Sequence, residues 1–197
     1  MTNKFKGKHV CVVGIGRTGQ ALVKYFHGQG AKITITDKKT RQEVGSVADM
    51  LEEYEPTWEL GGITPKAFAN QELIVVSPGV NQNDKVFDVA RQKNIPIIGE
   101  LELASSLTTT PIIAITGTNG KSTVTRLTYE FLKESGVDAW IGGNYGTPLI
   151  EYINQKHKAK VLVVEVSSFQ LETVDTFKPQ YSVMMNIAEE NFDRYKS

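Results

Sequence analysis

Pro111-Ile112-Ile113-Ala114-Ile115-Thr116-Gly117-Thr118-Asn119-Gly120-Lys121-Ser122-Thr123 is the stretch that decides the fold. An isoleucine-rich run closed by a glycine turn and followed by Lys-Ser reads as a buried strand, a phosphate-binding loop and a helix, in that order. Gly117 and Gly120 can take backbone angles that a side chain forbids, which lets successive N–H groups turn inward around a polyphosphate. Lys121 then sets a cation at the terminal phosphates. The Ser122 hydroxyl is placed to ligate a phosphate-bound magnesium at the positive end of the following helix. Val124, Leu127, Phe131 and Leu132 recur at helical spacing behind the loop, and Gly136 supplies a stop. The full Walker spacing needs a glycine where Ile115 stands, so Thr-Gly-Thr-Asn-Gly-Lys-Ser is a shortened variant. The plain alternative, a glycine turn with a surface lysine, leaves the order of strand, loop and helix unexplained.

Upstream, His9 to Val13 reads as a strand that runs into Gly14-Ile15-Gly16-Arg17-Thr18-Gly19, a G-x-G-x-x-G loop. A helix carrying Leu22, Tyr25 and Phe26 inward ends near Gly28 to Gly30, and Lys32 to Thr36 forms a second strand closed by Asp37. This βαβ layout binds a dinucleotide or another nucleotide diphosphate. An NAD site would set Asp37 on a ribose, whereas a nucleotide-sugar site would use the same loop and acid differently. A helix is expected from Glu43 to Glu53 with Val44, Val47, Met50 and Leu51 facing in, then a short strand at Trp58 to Leu60. Leu73-Ile74-Val75-Val76 is a continuous apolar run suited to a parallel sheet covered on both faces. It stops at Ser77-Pro78-Gly79, either a tight turn or a ligand edge of the sheet. Asn83 is expected to cap a helix with Val86, Phe87, Val89 and Ala90 inward. Ile95 to Gly99 gives one more strand, and Glu100 to Leu107 a linking helix. The βα alternation then restarts, which divides the chain into residues 1–98, a Rossmann-like domain, and 99–197, a P-loop-type ATPase domain.

Downstream of the phosphate loop, Ala139 to Gly142 reads as a strand, Pro148 as the first position of a helix through Ile153, and Lys160 to Glu165 as an apolar strand ending in a carboxylate. In a P-loop fold that acid lies beside the loop and can hold magnesium. Tyr181 to Met185 is a last strand. So few strands would leave a sheet edge uncovered, and this second domain is expected to be incomplete.

The chain has 197 residues, 40% of them hydrophobic, with 22 basic and 22 acidic side chains cancelling to zero. That balance describes an ordinary globular protein and gives no basic surplus for nucleic acid. Cys11 is the single cysteine and lies in an apolar strand, so it reads as a small core residue in a cytoplasmic protein. Met1 to Lys8 is polar and basic with no long apolar run behind it, and neither a signal peptide nor a membrane partner is expected. His9, His27 and His157 have no metal-ligand spacing. Lys156, Lys158 and Lys160 read as a solvated turn.

Four motifs occur in order: the phosphate loop, Gly142-Gly143-Asn144-Tyr145-Gly146-Thr147-Pro148, Glu165-Val166-Ser167-Ser168-Phe169-Gln170-Leu171-Glu172, and Asn186-Ile187-Ala188-Glu189 with Asp193-Arg194-Tyr195. Together they resemble the Mur ligases over the whole chain. The resemblance implies an ATP- and magnesium-dependent enzyme of peptidoglycan precursor synthesis. Such enzymes phosphorylate a substrate carboxylate and let an amino acid's amine displace the phosphate. The Ser-Ser-Phe-Gln-Leu-Glu run and the first glycine loop with Ser-Pro-Gly point to the member that joins D-glutamate to UDP-N-acetylmuramoyl-L-alanine. It implies that Gly117, Thr118, Asn119, Gly120, Lys121, Ser122 and Thr123 hold ATP. Ser122 and Glu165 would hold magnesium, and Asn144 would touch substrate near the transferring phosphoryl. Lys121, Asn144 and Glu165 are then the catalytic set. Gly16, Arg17, Thr18, Asp37, Lys38, Gly79 and Asn144 would hold the uridine nucleotide substrate.

Departures accompany the likeness. The family has an aspartate and a metal-binding histidine where this chain has Glu190 and Asn191, so Asn191 offers only a neutral carbonyl to a second magnesium. The family's carbamoylated lysine and its third domain, which binds the amino acid, have no counterpart here. A ligase fragment, monomeric, that binds nucleotides but does not turn over alone is therefore expected. The competing expectations are a non-catalytic nucleotide-binding protein of the same fold and, from the first loop alone, an NAD-dependent oxidoreductase.

Overall fold

The computed structural model describes residues 4–144, 146–155, 158–189 and 191–192. Tyr145, Lys156, His157, Glu190, Asp193, Arg194 and Tyr195, named above, lie outside the described residues. The chain opens with β1 (His9–Val13), α1 (Arg17–Gly28) and β2 (Lys32–Asp37). Next come α2 (Arg41–Val44), α3 (Ser46–Leu51), β3 (Thr57–Leu60), β4 (Leu73–Val76), α4 (Asp88–Gln92) and β5 (Ile97–Gly99). These strands form a five-stranded parallel sheet in the order β3-β2-β1-β4-β5. The chain moves outward in opposite directions from β1, and the carboxyl ends of β1 and β4 flank the resulting crevice, where open α/β sheets bind ligands.

The period of two along β1 assigns its two faces. Val10 and Val12 join the large core with Leu22, Phe26 and Ile35, while Cys11 and Val13 join a second core with Ile74, Phe68 and Phe87. Phe68 and Phe87 stack with centroids 4.9 Å apart. Burial, with a smaller contribution from Glu59, pushes the Cys11 thiol far above its ordinary value, so the thiol stays protonated.

Two local expectations are corrected. The helix expected from 43 to 53 is broken at Gly45, whose φ of +53° separates α2 from α3, and Met50 faces solvent at 57% exposure. The cap expected at Asn83 is supplied by Asp84, whose carboxylate accepts the Val86 N–H at 3.0 Å.

The second half comprises α5 (Glu100–Ser106), β6 (Ile112–Thr116), α6 (Lys121–Glu134), β7 (Ala139–Gly143), α7 (Leu149–Asn154), β8 (Val161–Glu165), α8 (Ser168–Leu171) and β9 (Tyr181–Met184). Its four-stranded parallel sheet runs β7-β8-β6-β9. The helix read from the spacing of Val124, Leu127, Phe131 and Leu132 is α6, on which Leu127 and Phe131 are 47% and 68% exposed. Pro148 stands one residue before α7, at its N-cap.

The halves are joined by specific contacts. A Cβ at Gly99 would lie 1.9 Å from the Thr173 hydroxyl, so only glycine admits that approach. Within the second half, the Glu102 carboxylate of α5 accepts N–H bonds from Asp175, Thr176 and Phe177 at 3.0, 3.0 and 3.1 Å. Burial raises the Glu102 carboxyl, but these bonds and one from the Thr176 hydroxyl outweigh it and hold the group below its ordinary value. On the other side α1 meets α7 through Lys24 to Glu151 at 3.1 Å and the Asn154 amide to Ala21 O at 3.1 Å. No helix among the described residues is long and apolar enough to cross a membrane.

Candidate functional site

The first glycine loop is cast against its neighbours. Gly14 has φ +94°, and a Cβ on Gly19 would lie 1.9 Å from Gly14 O, so α1 rides directly on the end of β1. The Asp37 carboxylate accepts the Ile15 N–H at 2.8 Å and the Lys39 N–H at 2.9 Å. Asp37 therefore braces the loop from the end of β2. Gly14, Asp37, Lys38, Gly79, Asp84 and Phe87 line one cavity of 350 Å³. Asp84 and Phe87 were not expected there; the sequence signal was the Asp-x-x-Phe start of a helix after Ser-Pro-Gly. Gly16, Arg17 and Thr18 stand at the start of α1 and do not line this cavity. Arg17 instead reaches the second half, its guanidinium donating to Gly146 O at 3.5 Å.

The second loop is built on β6. Gly117 has φ +136° and Gly120 φ +84°, and Gly120 is the N-cap of α6. Lys121 curls back so that Nζ donates to Gly117 O at 2.5 Å and Thr118 O at 2.8 Å. The Thr118 and Asn119 N–H groups are already engaged, donating to Asn186 O at 3.1 Å and Asn186 Oδ1 at 2.8 Å. The N–H groups of residues 120–123, which open α6 without carbonyls four residues back inside the helix, are the donors suited to a phosphate.

Glu165 ends β8 between Ile115 of β6 and Gly143 of β7, and only 2% of it is exposed. Its Oε2 accepts from the Ser122 hydroxyl at 2.7 Å and its Oε1 from the Asn144 amide at 2.8 Å. Gly143 is required here, since a Cβ would meet Glu165 O at 2.3 Å. Thus the structure brings Ser122, Asn144 and Glu165 together at the start of α6. A buried carboxylate oxygen beside a hydroxyl is a hard-oxygen pair that fits magnesium. Asn191 takes no part in these bonds, and no cluster of three His, Cys, Asp or Glu exists among the described residues. Thr123 is exposed at the surface of the first turn. The Ser-Ser-Phe-Gln-Leu-Glu run forms α8 through a capping box between Ser167 and Gln170, a structural use of two of its residues. Thr118, Leu171, Met184, Asn186 and Phe192 line a further cavity of 480 Å³ beside the loop.

A parallel sheet whose glycine loop hands Lys-Ser to a helix beside a strand-end carboxylate, preceded by a Rossmann-like sheet, is an α/β protein of the P-loop class. Two family models match it: the MurD-like N-terminal domain of Mur ligases over residues 8–99, and the Mur ligase middle domain over residues 115–197. The chain belongs to the Mur ligase family. It is 45% identical over 192 residues to the UDP-N-acetylmuramoylalanine–D-glutamate ligase of Bdellovibrio bacteriovorus, covering 98% of this chain and 42% of that protein. The ligase of the same name from Desulfatibacillum aliphaticivorans is 42% identical over 190 residues, covering 96% and 42%. The chain therefore spans 42% of the length of these two relatives. Among solved structures, a UDP-N-acetylmuramate:L-alanyl-gamma-D-glutamyl-meso-diaminopimelate ligase from Neisseria meningitides superposes with TM-score 0.59 at 16% identity, covering 95% of this chain and 63% of that one. The UDP-N-acetylmuramate-alanine ligase of Thermotoga maritima gives 0.55 at 19% identity, covering 96% and 44%. At those identities the likeness is one of fold.

Proposed function

We propose that these residues carry the two nucleotide sites of a cytoplasmic ligase that joins D-glutamate to UDP-N-acetylmuramoyl-L-alanine at the expense of ATP. Residues 1–98 form the uridine-nucleotide unit and 99–197 the ATP unit. The observation that carries the reading is the bonded set Ser122–Glu165–Asn144 at the mouth of the phosphate loop, in a chain 45% identical to a ligase of that name.

Chemically, a carboxylate is a poor electrophile, and converting it to an acyl phosphate supplies a good leaving group. The substrate carboxylate oxygen bonds to the terminal phosphorus of ATP and ADP departs. The amine nitrogen of D-glutamate then bonds to the acyl carbon and inorganic phosphate departs, the amine losing a proton. Lys121, once released from Gly117 O and Thr118 O, neutralises the transferring phosphoryl, and the N–H groups of residues 120–123 fix its donor. Ser122 and Glu165 would hold magnesium, which supplies positive charge to the phosphate oxygens. Asn144, held by Glu165, presents an amide to the substrate where the two halves meet. Gly14, Asp37, Lys38 and Gly79 surround the uridine end, and Gly16, Arg17 and Thr18 the diphosphate at the start of α1.

The chain spans 42% of the Bdellovibrio ligase, and the reading for these 197 residues is binding of both nucleotides without turnover. Calorimetry with each nucleotide, followed by a phosphate-release assay with all substrates and magnesium, tests this. Binding of both without release is expected; product-linked phosphate release, or failure to bind either, defeats it. Asn191, which lacks the imidazole of the family's metal ligand, favours a second reading as a non-catalytic nucleotide-binding protein. Grafting these residues onto the remaining part of the Bdellovibrio relative separates the two, because only a ligase half restores product.

A further inference from the structure

The segment that leaves β9 is fastened to the phosphate loop at five points. The Asn119 N–H donates to Asn186 Oδ1 at 2.8 Å while Asn186 Nδ2 donates to Asn119 O at 3.0 Å, so one side-chain amide pairs with both polar groups of a single residue. The Thr118 N–H donates to Asn186 O at 3.1 Å. The Thr118 hydroxyl donates to Ala188 O at 3.1 Å and accepts the Ala188 N–H at 3.0 Å. Gly117 makes this approach possible, since a Cβ there would sit 3.0 Å from Asn186 N, Asn186 O and Met185 Cβ alike. Lys121 Nζ adds bonds to the carbonyls of Gly117 and Thr118, so both main-chain polar groups of Thr118 and of Asn119 are bonded to protein.

A loop that must present N–H groups to a polyanion gains affinity when its shape is fixed before the anion arrives. Ordinary surface asparagines in turns bond to neighbours one or two residues away; this one acts across 67 positions of sequence. We propose that Asn186 is a positioning residue for the triphosphate site. Its amide clamps the Asn119 peptide, so that the N–H groups of residues 120–123 face outward together, and it registers the segment 186–189 against the loop. The inference rests on the reading of this loop as the ATP site.

Two measurements on the 197-residue protein test it. In Asn186→Ala, amide hydrogen exchange at Asn119 should accelerate at least about tenfold, and magnesium-ATP should bind roughly tenfold more weakly, the loss of one to two hydrogen bonds. UDP affinity and the melting temperature should hold. Asn186→Asp keeps the acceptor for the Asn119 N–H but loses the donor and adds a charge. It should therefore retain slow exchange at Asn119 yet bind ATP more weakly still. Unchanged exchange at Asn119 in the alanine variant overturns the proposal. So does a parallel loss of ATP affinity, UDP affinity and melting temperature, which marks a fold-holding residue. Should the unaltered protein bind no ATP, the functional reading fails, and the exchange rates alone decide whether Asn186 holds the loop.

Discussion

β4 and β9 are both short strands paired parallel to the first strand of their sheet, yet every residue of β4 is buried and every residue of β9 is exposed. Leu73-Ile74-Val75-Val76 lies between β1 and β5 and is covered on both faces by the two cores. Tyr181-Ser182-Val183-Met184 lies at a sheet edge, with Tyr181 and Met184 at 69% and 63% exposure. The same hydrogen-bond ladder therefore produces a core strand in one place and a surface strand in the other. Strand identity comes from pairing, and stability comes from what lies on the faces.

The comparison can be broken most directly by truncating matched residues. Ile74→Ala should cost roughly 2–5 kcal/mol in denaturant unfolding, the range for a buried aliphatic residue cut to alanine. A loss under about 1 kcal/mol would mean that the cover over β4 is loose. The two glycine loops offer the next largest effect. Lys121→Ala should weaken magnesium-ATP binding on the order of 100-fold, about 2.7 kcal/mol, for a lone ammonium facing phosphates, and leave UDP affinity unchanged. Equal losses at both sites would show that the halves do not bind independently.

A third test uses the buried bond between α5 and α7 in the second half. Glu100, 2% exposed, accepts the Ile150 N–H at 2.6 Å. Burial lifts its carboxyl from 4.5 to about 7, the Ile150 bond drawing it partly back. Glu102 faces the turn at 175–177, Glu151 faces Lys24 and the Tyr152 hydroxyl faces Thr110, so each is engaged elsewhere. Between those two values the folded chain holds a proton that the unfolded chain has released. The contribution of Glu100 to stability is thus greatest below about 4.5, falls as pH rises toward 7, and stays lowered above it. Glu100→Gln keeps the acceptor and removes the charge. It should flatten the change in melting temperature between about pH 5 and 8 and stabilise the alkaline side by about 1–2 kcal/mol, the new amide N–H groups offsetting part of the gain. An unaltered slope would mean that Glu100 is not the group responsible. The smallest effect is the counterpart of the first. Met184→Ala should change stability by less than about 0.5 kcal/mol, as at exposed sites generally, and a larger loss would reveal cover over β9 in solution.

Much of this was legible because parallel α/β folds write their strands as unbroken apolar runs. β1, β2, β4, β6 and β8 all stand where Val, Ile and Leu cluster, and Gly19 and Gly143 mark close backbone approaches. Ser122, Asn144 and Glu165, far apart in sequence, meet because three strands of one sheet end together. What misled was periodicity without cover. Met50 has helical spacing, but spacing reports which residues share a face and not whether anything lies against it. The break at Gly45 and the choice of Asp84 over Asn83 as cap are differences of one residue, below what propensity resolves. Asn186 was legible only as the head of the Asn-Ile-Ala-Glu motif, since its partner lies in the loop and not beside it in the chain.

The seating of α1 against Gly14 has one more consequence. A turn pressed this closely against the helix behind it is shaped by that contact, so the first cradle takes its outline as the chain folds. Its visitor must then match a fixed mould, and association there should proceed in a single kinetic phase at encounter-limited speed, with no slower rearrangement behind it.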